Sequence, residues 1–210
     1  MFSIIQAAGW PIWPLIFCSV IALAIVAERF YSLKRAAIVP QGLLKEAKTA
    51  SSKYIPPADV IDKLEQNSAL GELLAAGLRA LQANPQASEE YLRHAIQNRG
   101  RLVANRLNKF LQPLATIATA APLLGLLGTV VGMIAIFASQ GSIDVGVVTG
   151  DPGQLAHGIS VALYNTAFGL IVAIPALIFW RYFRSRVDSY ILELEVASED
   201  FVKHLRGLQP

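Results

Sequence analysis

Charge is what this sequence most lacks. Lys, Arg, Asp and Glu make up only 16% of its 210 residues, whereas a soluble domain carries about 25%. None of the four occurs in residues 10–27, 111–139 and 155–180. A helix needs roughly 20 apolar residues to cross the hydrocarbon core of a bilayer. The second and third runs exceed that length, and the first reaches it with the uncharged residues before it. Three such runs indicate a protein with three membrane spans.

Cysteine is nearly absent as well, and this excludes a disulfide scaffold. The single Cys18 cannot form an intrachain disulfide. Residues 1–17 contain neither Lys nor Arg, and Cys18 follows the bulky Phe17. A secretory signal needs a positively charged start and a small-residue cleavage site, so we interpret the first run as a retained span. The net charge of +3 is too small to indicate a nucleic-acid partner.

The placement of Lys and Arg predicts the orientation, because these residues are enriched in cytoplasmic segments. They follow the first run, precede the second and follow the third: Arg29, Lys34, Arg35; Arg99, Arg101, Arg106, Lys109; Arg181, Arg184, Arg186. Residues 1–9 and 140–150 contain neither. The N-terminus is therefore predicted in the periplasm and the C-terminus in the cytoplasm. Trp10, Trp13 and Trp180 lie near run ends, where interfacial anchors are expected.

The predicted fold is an all-α membrane protein with three transmembrane helices, the second and third extended into the cytoplasm. The predicted segments are a short periplasmic N-terminus (1–9), span one (10–28), a cytoplasmic helical region (29–110), span two (111–139), a periplasmic loop (140–154), span three (155–180) and a cytoplasmic C-terminal helix (181–210).

Capping residues and proline spacing predict two long helices. Ser88 is a typical N-cap, and the next two residues are acidic, as the positive end of a helix dipole favours. Apolar residues then recur at helical spacing, with no proline before Pro113. One helix is therefore predicted from Ser88 through span two, with Pro113 and Pro122 expected to bend it or to free local carbonyl groups. A second is predicted from Asp151, an N-cap followed by the first-turn residue Pro152, through span three.

Small residues form a stripe on each of the last two spans. The stripes contain Gly125, Gly128, Gly132, Ala162, Gly169 and Ala173. Small residues let helix backbones approach closely in lipid, where apolar burial alone does not drive association. Each stripe also contains one threonine, Thr129 or Thr166, and Asn165 adjoins the second. Two interpretations remain open. In the first, the stripes are packing seams, and each threonine hydroxyl donates a hydrogen bond to a carbonyl one turn earlier. In the second, the stripes line a passage, and the hydroxyls solvate whatever crosses it.

Spans two and three contain no Asp, Glu, Lys or Arg, although such residues are the usual intramembrane proton carriers. A proton path lined by this chain must therefore take its titratable group from another polypeptide. Glu28 and Arg29 end span one, and adjacent residues do not share a helix face, so a pair between them is not assumed. The chain has no nucleophile–base pair, phosphate loop or His/Cys cluster with metal spacing. Neither an enzyme nor a metal or cofactor site is expected.

Three segments, in order, resemble the signature segments of the ExbB/TolQ branch of the MotA/TolQ/ExbB family. They read "GWPIWPLIFCSVIALAIVAERF", "APLLGLLGTVVGMIAIF" and "GISVALYNTAFGLIVAIPAL", and the length is similar to a short ExbB-type protein. The resemblance implies a homo-oligomer in the bacterial inner membrane, a pentamer whose spans two and three line a central pore. A dimer of a single-span, ExbD-like partner would occupy that pore and supply an aspartate. Proton flow would then energise a TonB-like protein for outer-membrane import.

The resemblance also assigns residues to the pore. The family's pore threonines correspond to Thr129 in "GLLGTVVG" and Thr166 in "ALYNTAFGL", and Asn165 lies at the depth of the latter. Val161 stands where relatives often carry a glutamate, so the proton role of that glutamate cannot be transferred. Two alternatives remain: a TolQ-like subunit of the envelope-integrity motor, and a passive scaffold without ion flow. As packing residues, the glycines predict that Gly128→Leu or Gly132→Leu disperses the oligomer.

The orientation can be tested by thiol labelling in a background that lacks Cys18. A cysteine at Ser142 should react with a membrane-impermeant reagent added from the periplasmic side, and a cysteine at Ser51 should not. The reverse pattern would contradict the orientation drawn from Lys and Arg placement.

Overall fold

The computed structural model describes residues 10–52, 54–140 and 152–207. Within these ranges the regular structure is helical, with no strand. The helices are α1 (Ile12–Ser32), α2 (Arg35–Ile38), α3 (Leu43–Ser51), α4 (Ala58–Asn67), α5 (Ala69–Ala83), α6 (Glu89–Asn108), α7 (Leu111–Gln140) and α8 (Pro152–Arg206). By length and composition, α1, the stretch Glu89–Ala138 and the stretch Gly158–Arg206 are long and apolar enough to cross a membrane. The predicted all-α fold with three spans is confirmed.

The described residues divide into two compact units. The apolar unit contains residues up to Ala27 together with Leu111–Arg181. The polar unit contains Glu28–Phe110 and the residues from Tyr182 onward. Each boundary between the two units along the chain lies within one residue of an end of an uncharged run. The boundaries of the packed units therefore coincide with the changes in charge along the sequence.

The apolar unit exposes large hydrophobic side chains. Phe17, Leu23, Leu123, Ile134 and Ile171 are each more than 60% exposed. Contiguous apolar surface of this kind marks contact with lipid or with another protein chain. Many of the residues that this unit buries are small, among them several alanines and glycines of the two stripes, and larger residues such as Leu15, Ile25 and Leu114 are buried beside them.

The polar unit is built around α5, most of whose residues are buried. Ser68 caps this helix, since its hydroxyl accepts a hydrogen bond from the Gly71 N–H at 3.1 Å. Gly77 lets two neighbours approach: a Cβ built there would lie 2.8 Å from Cδ1 of Ile96 and 3.1 Å from Cδ1 of Leu205. The core is therefore a buried helix covered by α4, α6 and the C-terminal part of α8.

The helix predicted from Ser88 through span two is interrupted at residues 109 and 110, close to the distortion predicted at Pro113. Ser88 does cap α6, its hydroxyl accepting from the Tyr91 N–H at 3.2 Å. The helix ends at Asn108, however, and α7 begins at Leu111. Pro113 explains the break, because it has no N–H to donate to the carbonyl four residues earlier and its ring clashes with that carbonyl.

Two earlier expectations depend on where the described residues lie. α8 begins at Pro152, and its predicted cap, Asp151, lies outside the described residues, as do residues 1–9, Ser142 and most of the predicted periplasmic loop.

Ser51 is described and is fully buried. A cysteine there would be shielded on either side of a membrane, so the exposed Ser52 is the better cytoplasmic labelling position.

A histidine near the end of α8 contacts α3 inside the polar unit. Nε2 of His204 lies 3.0 Å from the hydroxyl oxygen of Ser51, and the imidazole stacks on Phe201. The Ser51 hydroxyl donates to the Ala47 carbonyl, so its oxygen accepts a hydrogen bond from the Nε2–H of His204. Burial, followed by the charge of Lys48, lowers the pKa of His204, although a hydrogen bond from the imidazole to the Lys48 backbone and the charge of the Asp200 carboxylate oppose this.

This contact predicts a loss of stability in mild acid. Because the folded protein holds the pKa of His204 below its ordinary value of 6.5, the unfolded chain binds the proton more readily. The stabilisation is complete above about pH 6.5 and declines as the pH falls towards the lower, folded pKa. His204→Gln keeps a donor for Ser51 and should flatten the melting temperature between pH 7 and pH 5, measured by circular dichroism. Equal slopes in His204→Gln and the parent would refute this assignment.

Candidate functional site

The two small-residue stripes meet in one seam inside the apolar unit. A Cβ built at Gly125 would lie 2.8 Å from the Asn165 carbonyl oxygen and 3.0 Å from Cα of Thr166. A Cβ built at Gly169 would lie 2.7 Å from the Ala121 carbonyl oxygen. In both cases the added carbon would overlap backbone atoms, which cannot move aside. The helices α7 and α8 therefore approach at a distance that only glycine permits here.

The seam continues along α7 past Gly125. A Cβ at Gly128 would lie 2.7 Å from Cβ of Asn165, and one at Gly132 would lie 3.0 Å from Cβ of Ala162. Ala162 is buried, as is Ala173 farther along α8. All six residues assigned to helix packing are thus buried or half-buried in α7 and α8.

The partner of the glycines is span three of the same chain. Gly128 and Gly132 face Asn165 and Ala162, whereas the sequence argument expects them to hold subunits together. A leucine at either position would therefore separate two helices of one chain first. Any effect of such a change on the oligomer would follow from that separation.

Asn165, assigned to the pore, lies within the seam. Its side chain is 1% exposed and covers Gly128, whose built Cβ would approach its Nδ2 to 2.9 Å. An amide is costly in contact with lipid and is tolerated where it faces protein or water. The structure places this amide against α7.

The two threonines make different hydrogen bonds. The Thr166 hydroxyl donates across the seam to the Gly125 carbonyl at 3.2 Å. The Thr129 hydroxyl donates within its own helix to the Leu126 carbonyl at 2.7 Å. Bonding to a carbonyl one turn earlier therefore describes Thr129 but not Thr166. Both side chains are half-buried.

These bonds determine what each hydroxyl offers chemically. A hydroxyl has one proton to donate and two lone pairs that accept. The proton of Thr129 is held by Leu126, so its oxygen can accept a hydrogen bond from outside the helix. Thr166 commits its proton to joining α7 and α8. The site thus presents a neutral acceptor, Thr129, on a helix that carries no ionisable acid or base from Leu111 to Gln140.

Sequence reasoning missed one arrangement outside the seam. The pair of Glu28 and Arg29, which helix-face geometry gives no reason to assume, is present: Nη2 of Arg29 donates to Oε1 of Glu28 at 2.8 Å. Arginine is long enough for its guanidinium to reach the adjacent carboxylate although the two residues leave the helix in different directions. Helix-face geometry alone does not describe so long a side chain.

Comparison with known proteins connects this seam to one family. Residues 65–196 match the model of the MotA/TolQ/ExbB proton channel family, and this range includes the whole seam. Biopolymer transport protein exbB1 of Vibrio cholerae is 32% identical over 172 residues, which cover 82% of this chain and 74% of the relative. Putative biopolymer transport protein ExbB-like 3 of Synechocystis sp. is 34% identical over 182 residues, covering 86% and 83%.

A solved structure shares the fold. The flagellar MotAB stator complex from Bacillus subtilis aligns with a TM-score of 0.63 at 20% sequence identity. The alignment covers 96% of this chain and 81% of the stator chain. At this identity the similarity concerns the arrangement of helices and not particular residues.

The close approach at Gly128 predicts a large effect of a bulky side chain. Gly128→Leu should force Asn165 away and part α7 from α8, and overpacking of this kind costs about 1–3 kcal/mol. We expect a lower melting temperature in detergent and, as a consequence, a smaller assembly by native mass spectrometry. Ala135→Leu is the matched control, because Ala135 lies on the same helix and is exposed. If both variants melt and assemble like the parent, the seam does not hold the helices together.

Proposed function

Because this chain belongs to the MotA/TolQ/ExbB proton channel family, we propose that it is the channel-forming subunit of a proton-driven motor that energises a TonB-like protein. Membership and the three apolar helices identify a multi-pass inner-membrane protein and a proton-channel subunit. In the proposed assembly, a pentamer of this chain surrounds a dimer of a single-span, ExbD-like protein. The N-terminus faces the periplasm, and the cytoplasmic side contains the polar unit.

Asp, Glu, Lys and Arg are absent from α7 and from residues 155–180, and this supports a machine in which another polypeptide carries the titratable carboxylate. A proton crossing lipid needs a group that can bind and release it, and intramembrane carboxylates usually do so. In the proposed machine the partner supplies that carboxylate, and this chain supplies neutral hydrogen-bonding groups. Val161, where relatives often carry a glutamate, agrees with this arrangement.

The observation that carries the proposal is the hydrogen bond of Thr129. Its proton is donated to Leu126, which leaves its oxygen able to accept from a protonated carboxyl group. When the carboxyl loses its proton, rotation of the hydroxyl would let Thr129 donate to the carboxylate instead. The rotation breaks one hydrogen bond, worth about 1 kcal/mol net, and forms a charge-assisted one. Thr129 can therefore contact both protonation states of the partner without a large barrier.

Thr166 acts differently in this proposal. Its bond to the Gly125 carbonyl joins the two helices at their closest approach. It keeps α7, and with it Thr129, against α8. We infer no separate enzymatic reaction, since the work of the machine is ion translocation. The names of the relatives, biopolymer transport proteins of the ExbB type, favour import over the envelope-integrity role of a TolQ-like subunit.

The proposal predicts that proton uptake requires a hydroxyl group at position 129. A side chain of the same branched shape without that hydroxyl should not be sufficient. Thr129→Val keeps the branched shape and removes the hydroxyl, so the complex should assemble normally. The rate of proton uptake should fall at least tenfold, because the loss of one hydrogen bond to a charged group has roughly that effect. Thr129→Ser should keep most activity. Thr166→Val should show a milder loss together with a lower melting temperature. The measurements are proton uptake by proteoliposomes containing the partner proteins, and growth on iron chelates that require TonB-dependent import.

A matched control separates the site from the general effect of removing a threonine. Thr119 lies earlier on α7 and also donates to carbonyls of its own helix, those of Ala115 and Thr116. Thr119→Val should retain wild-type uptake. Uptake at the wild-type rate in Thr129→Val, with Thr119→Val equally active, would refute the proposed role of Thr129.

A further inference from the structure

Helix α6 carries an uncharged line of residues on the side that faces away from the core of the polar unit. Its buried side consists of Leu92, Ile96, Val103 and Leu107. At about 100° per residue, the opposite side is occupied by Tyr91, Ala95, Asn98, Leu102 and Asn105. Ala95 is half-buried and the other four residues of this α6 line are exposed, Leu102 by 63%. The solvent side of a surface helix normally carries its charges, so an uncharged outer line requires an explanation.

The part of α8 in the polar unit has a similar line, formed by Ser185, Ser189, Leu192 and Val196. All four residues of this α8 line are exposed, Leu192 by 62% and Val196 by 63%. In both lines the spacing alternates between three and four residues, which is the spacing at which helices pack in a coiled coil. Each line is therefore suited to contact with a further helix.

The charged residues beside the two lines have opposite signs. Those beside the α6 line are all basic: His94, Arg99, Arg101 and Arg106. Those beside the α8 line are acidic with one exception: Arg186, Asp188, Glu193, Glu195 and Asp200. Flanking charges determine which helices pair in a coiled coil. They favour the pairing of an α6 line with an α8 line and oppose the pairing of two α6 lines.

Helices α6 and α8 run antiparallel inside the polar unit. Near the start of α6, Nη2 of Arg93 donates to the Glu199 carboxylate at 3.1 Å. At its end, Nη1 of Arg184 donates to the side-chain oxygen of Asn108 at 3.0 Å. Each contact marks a level that the two helices share. Because both helices rise by about 1.5 Å per residue, every residue of α6 between these contacts can be assigned a level on α8.

At these levels the two lines are complementary in side-chain size. Ala95 is level with Val196, and Leu102 is level with Ser189, each to within one residue. Copies of one chain that are inserted in the same direction and related by rotation about the membrane normal keep equal levels. The α6 line of one copy would therefore meet the α8 line of the next with a small residue opposite a large one.

We propose that these two lines form a contact between neighbouring copies of this chain, in which the α6 line of one copy packs along the α8 line of the next. The contact joins two different surfaces, so each copy has one of each left for its neighbours, and a closed ring results. The inference rests on the homo-oligomer of the proposed function and names a surface through which its polar units assemble. It does not depend on ion flow.

One pair of flanking charges is suited to this contact. Arg101, beside the α6 line, is exposed and forms no ion pair with another described residue. It lies within one turn of the level of Asp188, beside the α8 line. Asp188 pairs with Arg184 of its own helix at 3.1 Å, and both side chains are exposed. Its carboxylate can therefore accept a second cation from a neighbouring copy.

The test is disulfide formation between two differently tagged full-length copies, co-expressed in a background with Cys18→Ser. One copy carries Ala95→Cys and the other carries Val196→Cys. Mild oxidation of the membranes should give a cross-linked dimer that contains both tags, because facing positions bring the two Cβ atoms near the disulfide range of about 3.5–4.5 Å. Either variant expressed alone should cross-link at least about tenfold more slowly.

Gln97→Cys is the matched control for Ala95→Cys. Gln97 is exposed on the same helix two residues later, but its direction differs from that of Ala95 by about 160°. It lines a cavity that α6 shares with α8 of its own copy. With Val196→Cys in the other copy, Gln97→Cys should cross-link at least about tenfold more slowly than Ala95→Cys.

An exchange of charges tests the register of the contact. Arg101→Glu on the Ala95→Cys copy should slow the cross-link about threefold, since it replaces an exposed ion pair with two like charges. Asp188→Arg on the Val196→Cys copy should restore the rate. Because the two changes are on different copies, the restoration reports a contact between copies. No slowing, or slowing that Asp188→Arg does not relieve, would show that the proposed register is wrong.

Native mass spectrometry of the parent separates this inference from the proposed function. If the parent is an oligomer and the Ala95→Cys pair cross-links no faster than the Gln97→Cys control, the two lines do not meet and the inference is wrong. It is also wrong if either variant cross-links with itself at that rate. If the parent is a monomer, the homo-oligomer of the proposed function is refuted too. The expected cross-link together with wild-type proton uptake in Thr129→Val would refute only the role of Thr129.

Discussion

The close approach of α7 and α8 is the constraint on which the apolar unit depends. Lipid chains are as apolar as leucine, so burial of leucine gives two helices little reason to associate in a membrane. Van der Waals contact between backbones and hydrogen bonds between helices remain as the attractive forces. The contacts at Gly125 and Gly169 supply the first, and the bond from Thr166 to the Gly125 carbonyl supplies the second. Large side chains such as Leu123 and Ile171 consequently occupy the outer faces.

The polar unit is stabilised by different forces because water surrounds the folded and unfolded states of such a segment. There, burial of aliphatic side chains is the main driving force, and the buried helix α5 with its covering helices supplies it. Ion pairs on its surface, such as Arg79 with Asp62 and Glu65, raise the pKa of the arginine but contribute little to stability when exposed. The buried Arg29 differs, since removing one partner would leave a charge without compensation.

The sequence predicted those features that depend on local composition or periodicity. The uncharged runs predicted three spans, and Ser88 was recognisable as a cap because its hydroxyl needs only the amide of a neighbouring residue, Tyr91. Features that depend on a distant partner were not predictable. Small-residue spacing shows that Gly128 packs against something, but not that Asn165 of the same chain covers it. Likewise the hydrogen bond from Arg29 to the Leu107 carbonyl joins residues far apart in the chain, and no spacing pattern indicates it.

The same limit explains why the two threonines looked alike in sequence and differ in the structure. Each lies in a stripe of small residues, and periodicity assigns them equal positions. The acceptor of each hydroxyl depends on the side-chain rotamer and on the distance to the neighbouring helix, and neither is encoded in spacing. Because Thr166 joins the helices whereas Thr129 bonds only within α7, one hydroxyl is needed for packing and the other is left to interact with a second molecule. The backbone contacts at Gly125 and Gly169 and the Asn165 side chain over Gly128 hold α7 in one rotation against α8. The close approach that packs the two helices therefore also fixes the direction in which the Thr129 hydroxyl points.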